Sequence, residues 1–194
     1  MSNRTDTADD RNAEHHVMWR CLDTEGVDAC WFSQTTDGWL ISGTALFKLE
    51  NKTARLDYQV SCDKAWNSVA AQISGLVGTR KIEFDLSKTD SGGWQLNGSP
   101  VAHVDGLLDV DLGFTPATNT TAMKRLDLPI GGEAETRAVW LDIGDWTFKP
   151  LPQIYVRNSD QSYTYKSPGN DYQTDLVVDA FGLVRLYPGL WQAI

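Results

Sequence analysis

The sequence predicts a single, mainly β domain: an antiparallel sheet of about a dozen strands with at most one or two short helical turns. The chain has 194 residues, about the length of one domain. Residues 1–14 are polar and aperiodic, and we expect a flexible tail there and one β domain over residues 15–194. In that domain, runs rich in Val, Ile, Leu and aromatic side chains alternate with clusters of Gly, Asp, Asn and Ser. Within most runs, apolar and polar residues alternate, which is typical of strands with one buried face.

The first hairpin follows from a short turn signal. Glu25-Gly26 predicts a turn that sets residues 15–23 against residues 28–34. In that register Cys21 lies opposite Cys30, close enough for a disulfide if the pair is not hydrogen-bonded. We nevertheless expect two buried free thiols, because the chain has only three cysteines and no export signal.

Turn signals such as Asp37-Gly38 and Asn97-Gly98 separate the strands that follow. Residues 66–75 fit a helix about as well as a strand, and the hairpin signal Gly75–Gly78 favours the strand. The strands expected after the first hairpin cover residues 39–48, 53–62, 66–75, 80–86, 94–96, 123–128, 137–143, 148–157, 162–166, 172–181 and 183–187.

The segment 107–119 has a different pattern. Leu108, Val110 and Leu112 alternate with polar or small residues, and the alternation then breaks. Pro116 would suit the first turn of a short helix. With one apolar face on each strand, the sheet must curl or pair to bury those faces. A closed barrel, a half-barrel wrapped over a short helix and a sandwich all satisfy that requirement.

Composition and charge narrow the function classes. Hydrophobic residues make up 41% and charged residues 22%, as in an ordinary globular chain. The excess of 26 Asp and Glu over 17 Lys and Arg gives a net charge of −9, which argues against a general binder of nucleic acids or anionic membranes. No apolar run is long enough to span a bilayer, and residues 1–10 contain no apolar signal region. We therefore expect a cytoplasmic protein without an integral membrane segment.

Few residues suggest catalysis. Asp109 and Asp111 share a strand face and could act as an acid/base pair or hold a divalent ion, or they could simply face solvent or pair with Arg. His15 and His16 point to opposite faces of a strand, so they cannot chelate one ion together. The sequence has no G-x-S-x-G motif and no Gly-rich nucleotide loop. We predict no catalytic residues, no metal site and no cofactor.

Aromatic residues are the remaining feature. The eight Trp are spread about one to a strand, Tyr163 and Tyr165 share a strand face, and Tyr155 lies close to Arg157. These side chains could fill a β-sheet core or line a cavity for an amphiphile or a sugar ring.

Several motifs resemble those of the bacterial family named "putative glycolipid-binding". The most specific part is Leu108-Asp109-Val110-Asp111-Leu112-Gly113-Phe114-Thr115-Pro116-Ala117-Thr118-Asn119-Thr120 followed by Arg125-Leu126. The others are Trp19-Arg20, Cys62 with Trp66, residues 93–98, 153–157, 163–167 and 175–184, so the resemblance covers roughly residues 15–190. Residues 121–124 depart from the leucine-proline-hydrophobic-arginine run expected there, although Arg125 is kept.

The resemblance implies one spiralling β-roll or half-barrel with a hydrophobic cavity, similar in shape to periplasmic lipoprotein carriers. It brings no catalytic residues. Residues 108–126 could form a structural ion-pair network of Asp109, Asp111 and Arg125, or a polar mouth to the cavity.

We therefore expect non-enzymatic binding of a hydrophobic or amphiphilic small molecule, such as a glycolipid or another lipid-like ligand. The alternatives are an enzyme acting on a sugar or lipid conjugate through Asp109 and Asp111, and an interaction module with a filled core and no ligand. The ligand-binding residues we expect are Trp19, Arg20, Trp31, Asp109, Asp111, Asn119, Arg125, Tyr155, Arg157 and Tyr165.

Overall fold

Within the described part of the chain, one mostly antiparallel sheet of 15 strands, which does not close on itself, contains most of the residues. The computed structural model describes residues Glu14–Ile194. The tail expected over residues 1–14 lies outside the described residues, except that Glu14 begins the first strand. The prediction of a mainly β fold built on a single antiparallel sheet is confirmed, with a few more strands than expected.

The elements follow one another along the chain with short connections. They are β1 (Glu14–Cys21), β2 (Gly26–Gln34), β3 (Gly38–Leu49), β4 (Lys52–Asp63), β5 (Ser68–Val77), β6 (Arg80–Lys88), β7 (Trp94–Leu96), β8 (Ser99–Pro100), β9 (Asp109–Leu112), α1 (Ala117–Leu126), β10 (Glu133–Asp142), β11 (Thr147–Ser159), β12 (Ser162–Ser167), β13 (Tyr172–Val178), β14 (Val184–Tyr187) and β15 (Trp191–Ala193). A 3₁₀ turn, Pro168–Asn170, joins β12 to β13.

The sheet has two halves, strands β1 to β8 and strands β9 to β15, which are joined by the pairing of β1 with β15. Its strand order is β8-β7-β6-β5-β4-β3-β2-β1-β15-β14-β13-β12-β11-β10-β9, so β8 and β9 form its edges. Among the strands of residues 14–194, only the β9–β10 pair is parallel. The edge strand β9 also lies against the start of β5, because the Ser68 N–H donates to Leu108 O at 2.8 Å and the Val110 N–H donates to Ser68 Oγ at 3.1 Å.

Helix α1 runs through the interior of this sheet. Its residues Ala117–Met123 are all buried, although four of them are Thr or Asn. A helix buried on every side requires the sheet to curl around it, since a flat sheet covers only one face. No helix of the described chain is long and apolar enough to cross a membrane.

The prediction of a strand over residues 123–128 is wrong, because α1 continues to Leu126. Asp127 then ends the helix in the left-handed conformation, with φ 41°, and its N–H donates to Met123 O. Buried backbone groups must be hydrogen-bonded, and a helix pairs them internally where no neighbouring strand is available. The helix expected near Pro116 is therefore present but longer than one turn.

The register expected for the first hairpin is also wrong. Val17, not Cys21, lies opposite Cys30, and Cys21 lies opposite Trp191 of β15. The connection is the four-residue segment Leu22–Glu25 rather than a turn at Glu25-Gly26. The shift is an even number of residues, so every side chain keeps its face. All three cysteines are buried free thiols, and burial raises the pKa of Cys21 and of Cys62 to about 12.

The other expected strands are present. Residues 66–75 fall mainly in β5, which resolves the helix alternative in favour of the strand. The short strands β8 and β15 were not expected, since two or three residues carry too little periodicity to be recognised.

A buried carboxylate ties β2 and β4 to the loop that leads into α1. Asp28 is fully buried, and its Oδ2 accepts hydrogen bonds from the Tyr58 hydroxyl at 2.8 Å and from the Thr115 hydroxyl. Its Oδ1 has no partner among the described residues. Burial raises the pKa of Asp28 to about 6, although the two hydroxyl donors act in the opposite direction.

The Asp28→Asn variant is expected to change the pH dependence of stability. The unfolded chain loses this proton near pH 4 and the folded chain near pH 6, so the contribution of Asp28 to stability falls as pH rises between them. The variant should gain stability relative to the wild type across that interval, by up to about 3 kcal/mol. Urea unfolding between about pH 4 and pH 7 measures this difference. The exposed Asp37→Asn variant is the control, and a difference for Asp28→Asn that does not vary with pH would contradict the assignment.

Candidate functional site

An aromatic pocket of about 280 Å³ opens at the end of the sheet where α1 begins. It lies between the start of α1, the end of β9 and the strands β12 to β15. Its lining includes Trp140, Tyr165, Tyr172, Tyr187 and Trp191 among aromatic residues, and Asp111, Asn119, Ser167 and Asn170 among polar ones. We call this cleft the aromatic pocket.

The strands deliver these aromatic rings from different parts of the chain. On β12, Tyr163, Tyr165 and Ser167 alternate with more exposed residues and face inward. Tyr187 ends β14 and pairs in register with Trp191 of β15. The sheet therefore brings together rings from strands that are adjacent in space.

Tyr165 is at the centre of the ring cluster. Its ring centroid lies 6.4 Å from that of Tyr172, 6.1 Å from that of Tyr187 and 5.1 Å from that of Tyr155. Tyr172 and Tyr187 are 6.3 Å apart. These are the separations of tilted and edge-to-face aromatic pairs. Burial raises the pKa of both Tyr165 and Tyr187, so their hydroxyls stay protonated.

Asp111 places a carboxylate on the wall of the pocket. Its Oδ2 accepts a hydrogen bond from Gln153 Nε2 at 2.6 Å, and its Oδ1 accepts a longer one from Thr118 Oγ1 at 3.4 Å. Gln153 Nε2 also donates to the Tyr165 hydroxyl at 3.1 Å. Burial raises the pKa of Asp111 to about 6, against the opposing effect of these donors.

Asn119 connects the helix to the aromatic cluster. Its Nδ2 donates to the Tyr155 hydroxyl at 3.0 Å, and Tyr155 is fully buried behind Tyr165. The amide is buried and lines the pocket beside Pro116 and Thr115. Asn119 is thus both a pocket residue and a contact between α1 and β11.

Asp109 has a different role from Asp111. Arg125 binds it through two hydrogen bonds, Nε to Oδ1 at 2.7 Å and Nη2 to Oδ2 at 2.6 Å. The Thr136 hydroxyl donates to Oδ2 at 2.9 Å and accepts from Arg125 Nη2 at 2.8 Å. The side chain of Asp109 is 1% exposed. The expected ion pair therefore joins Asp109 to Arg125, while Asp111 bonds to Gln153 and Thr118.

The remaining expected site residues lie outside the pocket. Trp19 is fully buried and donates to Val184 O at 2.6 Å. Arg20 is exposed, and Trp31 is 42% exposed on the outer face of the sheet. Arg157 Nη1 donates to Leu128 O at 2.8 Å near the other end of α1.

Of the ten expected residues, Asp111, Asn119 and Tyr165 line the pocket, and Tyr155, Asp109 and Arg125 support it from behind or beside it. Sequence reasoning missed the pocket residues Trp140, Ser167, Asn170, Tyr172, Tyr187 and Trp191. Asn170 lies in the 3₁₀ turn, and the others lie on five different strands that only the strand order brings together. Within residues 14–194, no group of three or more His, Cys, Asp or Glu is placed to hold a metal ion.

Comparisons with known proteins agree with this fold. A family model described as "Putative glycolipid-binding" matches residues 16–193. The crystal structure of a DUF1089 family protein from Pseudomonas aeruginosa is similar to this chain, with a TM-score of 0.76 and 28% sequence identity. The similarity covers 86% of this chain and 92% of that one. No curated protein matches the sequence significantly.

The Arg125→Met variant is expected to destabilise the fold by about 3–5 kcal/mol, because it leaves the Asp109 carboxylate buried without its cation. Replacing both partners, as in Asp109→Asn with Arg125→Met, should recover much of that loss. Urea unfolding of the two variants measures the difference. The exposed Arg137→Met change is the matched control, and an equal loss in it would contradict a special role for Arg125.

Proposed function

This chain belongs to the family described as "Putative glycolipid-binding", whose model it matches, and on that premise we propose that it binds the polar headgroup of an amphiphilic small molecule in the aromatic pocket. The observation that carries the proposal is the combination of five aromatic rings with Asp111, Asn119 and Asn170 in one cleft. Aromatic faces pack against the C–H groups of a sugar ring, and carboxylate and amide groups bind its hydroxyls.

The size of the pocket supports a headgroup rather than a whole lipid. Its volume of about 280 Å³ is just below the range of about 300–1,000 Å³ typical of drug-sized ligands. Helix α1 and its buried neighbours occupy the interior of the curled sheet. We infer that one ring-sized polar group enters the pocket and that the acyl chain stays outside it.

The arrangement of carboxylates favours binding over catalysis. Glycoside hydrolysis generally uses two carboxyl groups that flank the scissile bond. Asp111 is the carboxylate that lines the pocket of the described chain. Both oxygens of Asp109 are held by Arg125 and Thr136, so this carboxylate is not free to act as its partner.

Binding of n-octyl β-glucoside, below its micellar concentration, tests the proposal. We expect saturable quenching or enhancement of tryptophan fluorescence, because Trp140 and Trp191 line the pocket. The Trp140→Leu variant should bind about tenfold more weakly through loss of one aromatic face. The Trp31→Leu variant, on the outer sheet face, is the matched control. Equal binding of octanol, or equal losses in the two variants, would contradict headgroup recognition in this pocket.

Affinity for the glucoside is also expected to depend on pH. An ionised Asp111 accepts hydrogen bonds from sugar hydroxyls more strongly than the neutral acid does. Because the pKa of Asp111 is about 6, affinity should fall as pH decreases through that value, by about tenfold. Titrations between about pH 5 and pH 8 measure the change. The Asp111→Asn variant should bind weakly at every pH, and a pH profile unchanged by that substitution would rule out Asp111.

A second measurement addresses the natural ligand. Native mass spectrometry of protein isolated from its own host should show a bound species that organic extraction removes. A protein that carries no extractable molecule and binds no glycoside would instead support an interaction module with a filled core.

A further inference from the structure

A row of side chains, all exposed except the half-buried Val27, crosses the outer face of the sheet from β1 to β6. The side chains are Arg20, Val27, Leu46, Arg55, Leu76 and Lys81, each the direct cross-strand partner of the next. We call them the outer row. Neighbouring strands lie about 4.8 Å apart, so the row is about 24 Å long. Leu46 is 47% exposed and Leu76 is 46% exposed.

The outer row lies at the same end of the sheet as the aromatic pocket. Leu22, which is 44% exposed, follows β1 directly after Arg20 and Cys21. Its N–H donates to Leu190 O at 2.8 Å, and Leu190 lines the pocket. Leu22 therefore lies beside the rim of the pocket, at the end of β1 where the outer row begins.

The charge of this part of the molecule differs from that of the whole chain. The strand ends and turns of β1 to β6 at this end carry six cations, Arg20, Lys48, Lys52, Arg55, Arg80 and Lys81, and three carboxylates, Asp23, Glu25 and Glu50. The chain as a whole has a net charge of −9. At physiological ionic strength, solvent ions screen charges over about 8 Å, so local charges influence a surface contact more than the net charge of the chain does.

Two carboxylates, Asp57 and Glu83, lie two residues further along β4 and β6 than Arg55 and Lys81, and they form ion pairs with these two cations. Asp57 Oδ2 is 3.6 Å from Arg55 Nη2, and Glu83 forms an ion pair with Lys81. The Arg55 and Lys81 side chains remain 61% and 73% exposed. Exposed pairs of this kind contribute little and exchange partners readily. Arg20 has no carboxylate partner among the described ion pairs.

We propose that the outer row, together with Leu22, docks on the surface of an anionic lipid bilayer. Leucine side chains enter the headgroup region while cations beside them meet lipid phosphates, as in other peripheral membrane-binding surfaces. Scattered exposed leucines need no explanation, but Leu46 and Leu76 lie in one row on either side of Arg55. The aromatic pocket would then lie beside the membrane surface. The docking does not depend on headgroup binding in that pocket.

Flotation with vesicles tests this docking. The vesicles contain phosphatidylcholine with roughly one third phosphatidylglycerol, or phosphatidylcholine alone, and no glycolipid. The wild-type protein should float with the anionic vesicles and bind the neutral ones several-fold more weakly. The Arg20→Gln variant should lower binding about fivefold. The double variant Leu46→Ser with Leu76→Ser should lower it about tenfold or more.

Matched controls come from exposed residues elsewhere on the sheet. Val69→Ser and Arg185→Gln remove a comparable apolar side chain and a comparable cation away from the outer row, and both should leave flotation unchanged. Circular dichroism melting curves verify that each variant is folded.

Absence of the wild type from the anionic vesicles, or equal losses in the controls, would overturn the proposal. So would self-association of the wild type that the leucine changes abolish, since the row would then join two copies of the chain. The vesicles contain no glycolipid, so a negative flotation result would not bear on headgroup binding in the aromatic pocket, which has its own test.

Discussion

A helix with a polar surface is enclosed by a β-sheet, and the rest of the structure depends on how its polar groups are satisfied. Residues 117–123 are buried, yet four of them carry hydroxyl or amide groups. Thr118 Oγ1 accepts the N–H of Leu112 at 3.2 Å, and Thr120 Oγ1 donates to Gly182 O at 2.9 Å. Each such bond replaces water that an exposed group would keep, and an unpaired group here would be costly. The hydrogen bonds therefore specify where α1 sits within the sheet.

The need to satisfy buried polar groups also explains why two carboxylates on one strand have different roles. Asp109 and Asp111 both face α1 because they are two residues apart on β9. Asp109 meets the cationic end of the helix, where Arg125 satisfies it completely. Asp111 meets the beginning of the helix, where it has neutral donors and lines an open cleft. Asp109 therefore stabilises the fold, whereas Asp111 can still accept a hydrogen bond from an external donor.

Much of the fold could be predicted from the sequence, because alternation over eight or more residues identifies a strand and its buried face. Leu56, Tyr58 and Val60 are an example, since all three are buried on β4 as the alternation predicts. The pattern failed where tertiary contacts decide the outcome. A strand was expected over residues 123–128, yet residues 123–126 continue α1, because the helix pairs their backbone groups internally where no neighbouring strand is available.

The site was less accessible to prediction than the fold. Asp111, Asn119 and Tyr165 could be recognised as candidates, because the first two lie in the family's signature segment and Tyr165 lies on a patterned strand. Tyr187 and Trp191 join them only through pairing of β14 with β15 and of β15 with β1. Nothing local in the chain reveals that pairing.

The pairing of β1 with β15 also has a consequence for how the molecule folds. These strands are separated by about 170 residues of sequence, and Cys21 and Trp191 stand directly opposite one another. Contacts of such long sequence separation are slow to form, because the intervening loop must first be closed. During synthesis, β1 can pair with β2 early, but its other edge stays open until the last strand leaves the ribosome. That unpaired edge is a place where a nascent chain could associate with another, and slower synthesis lengthens its exposure, so we expect chaperone protection to improve the yield of folded protein.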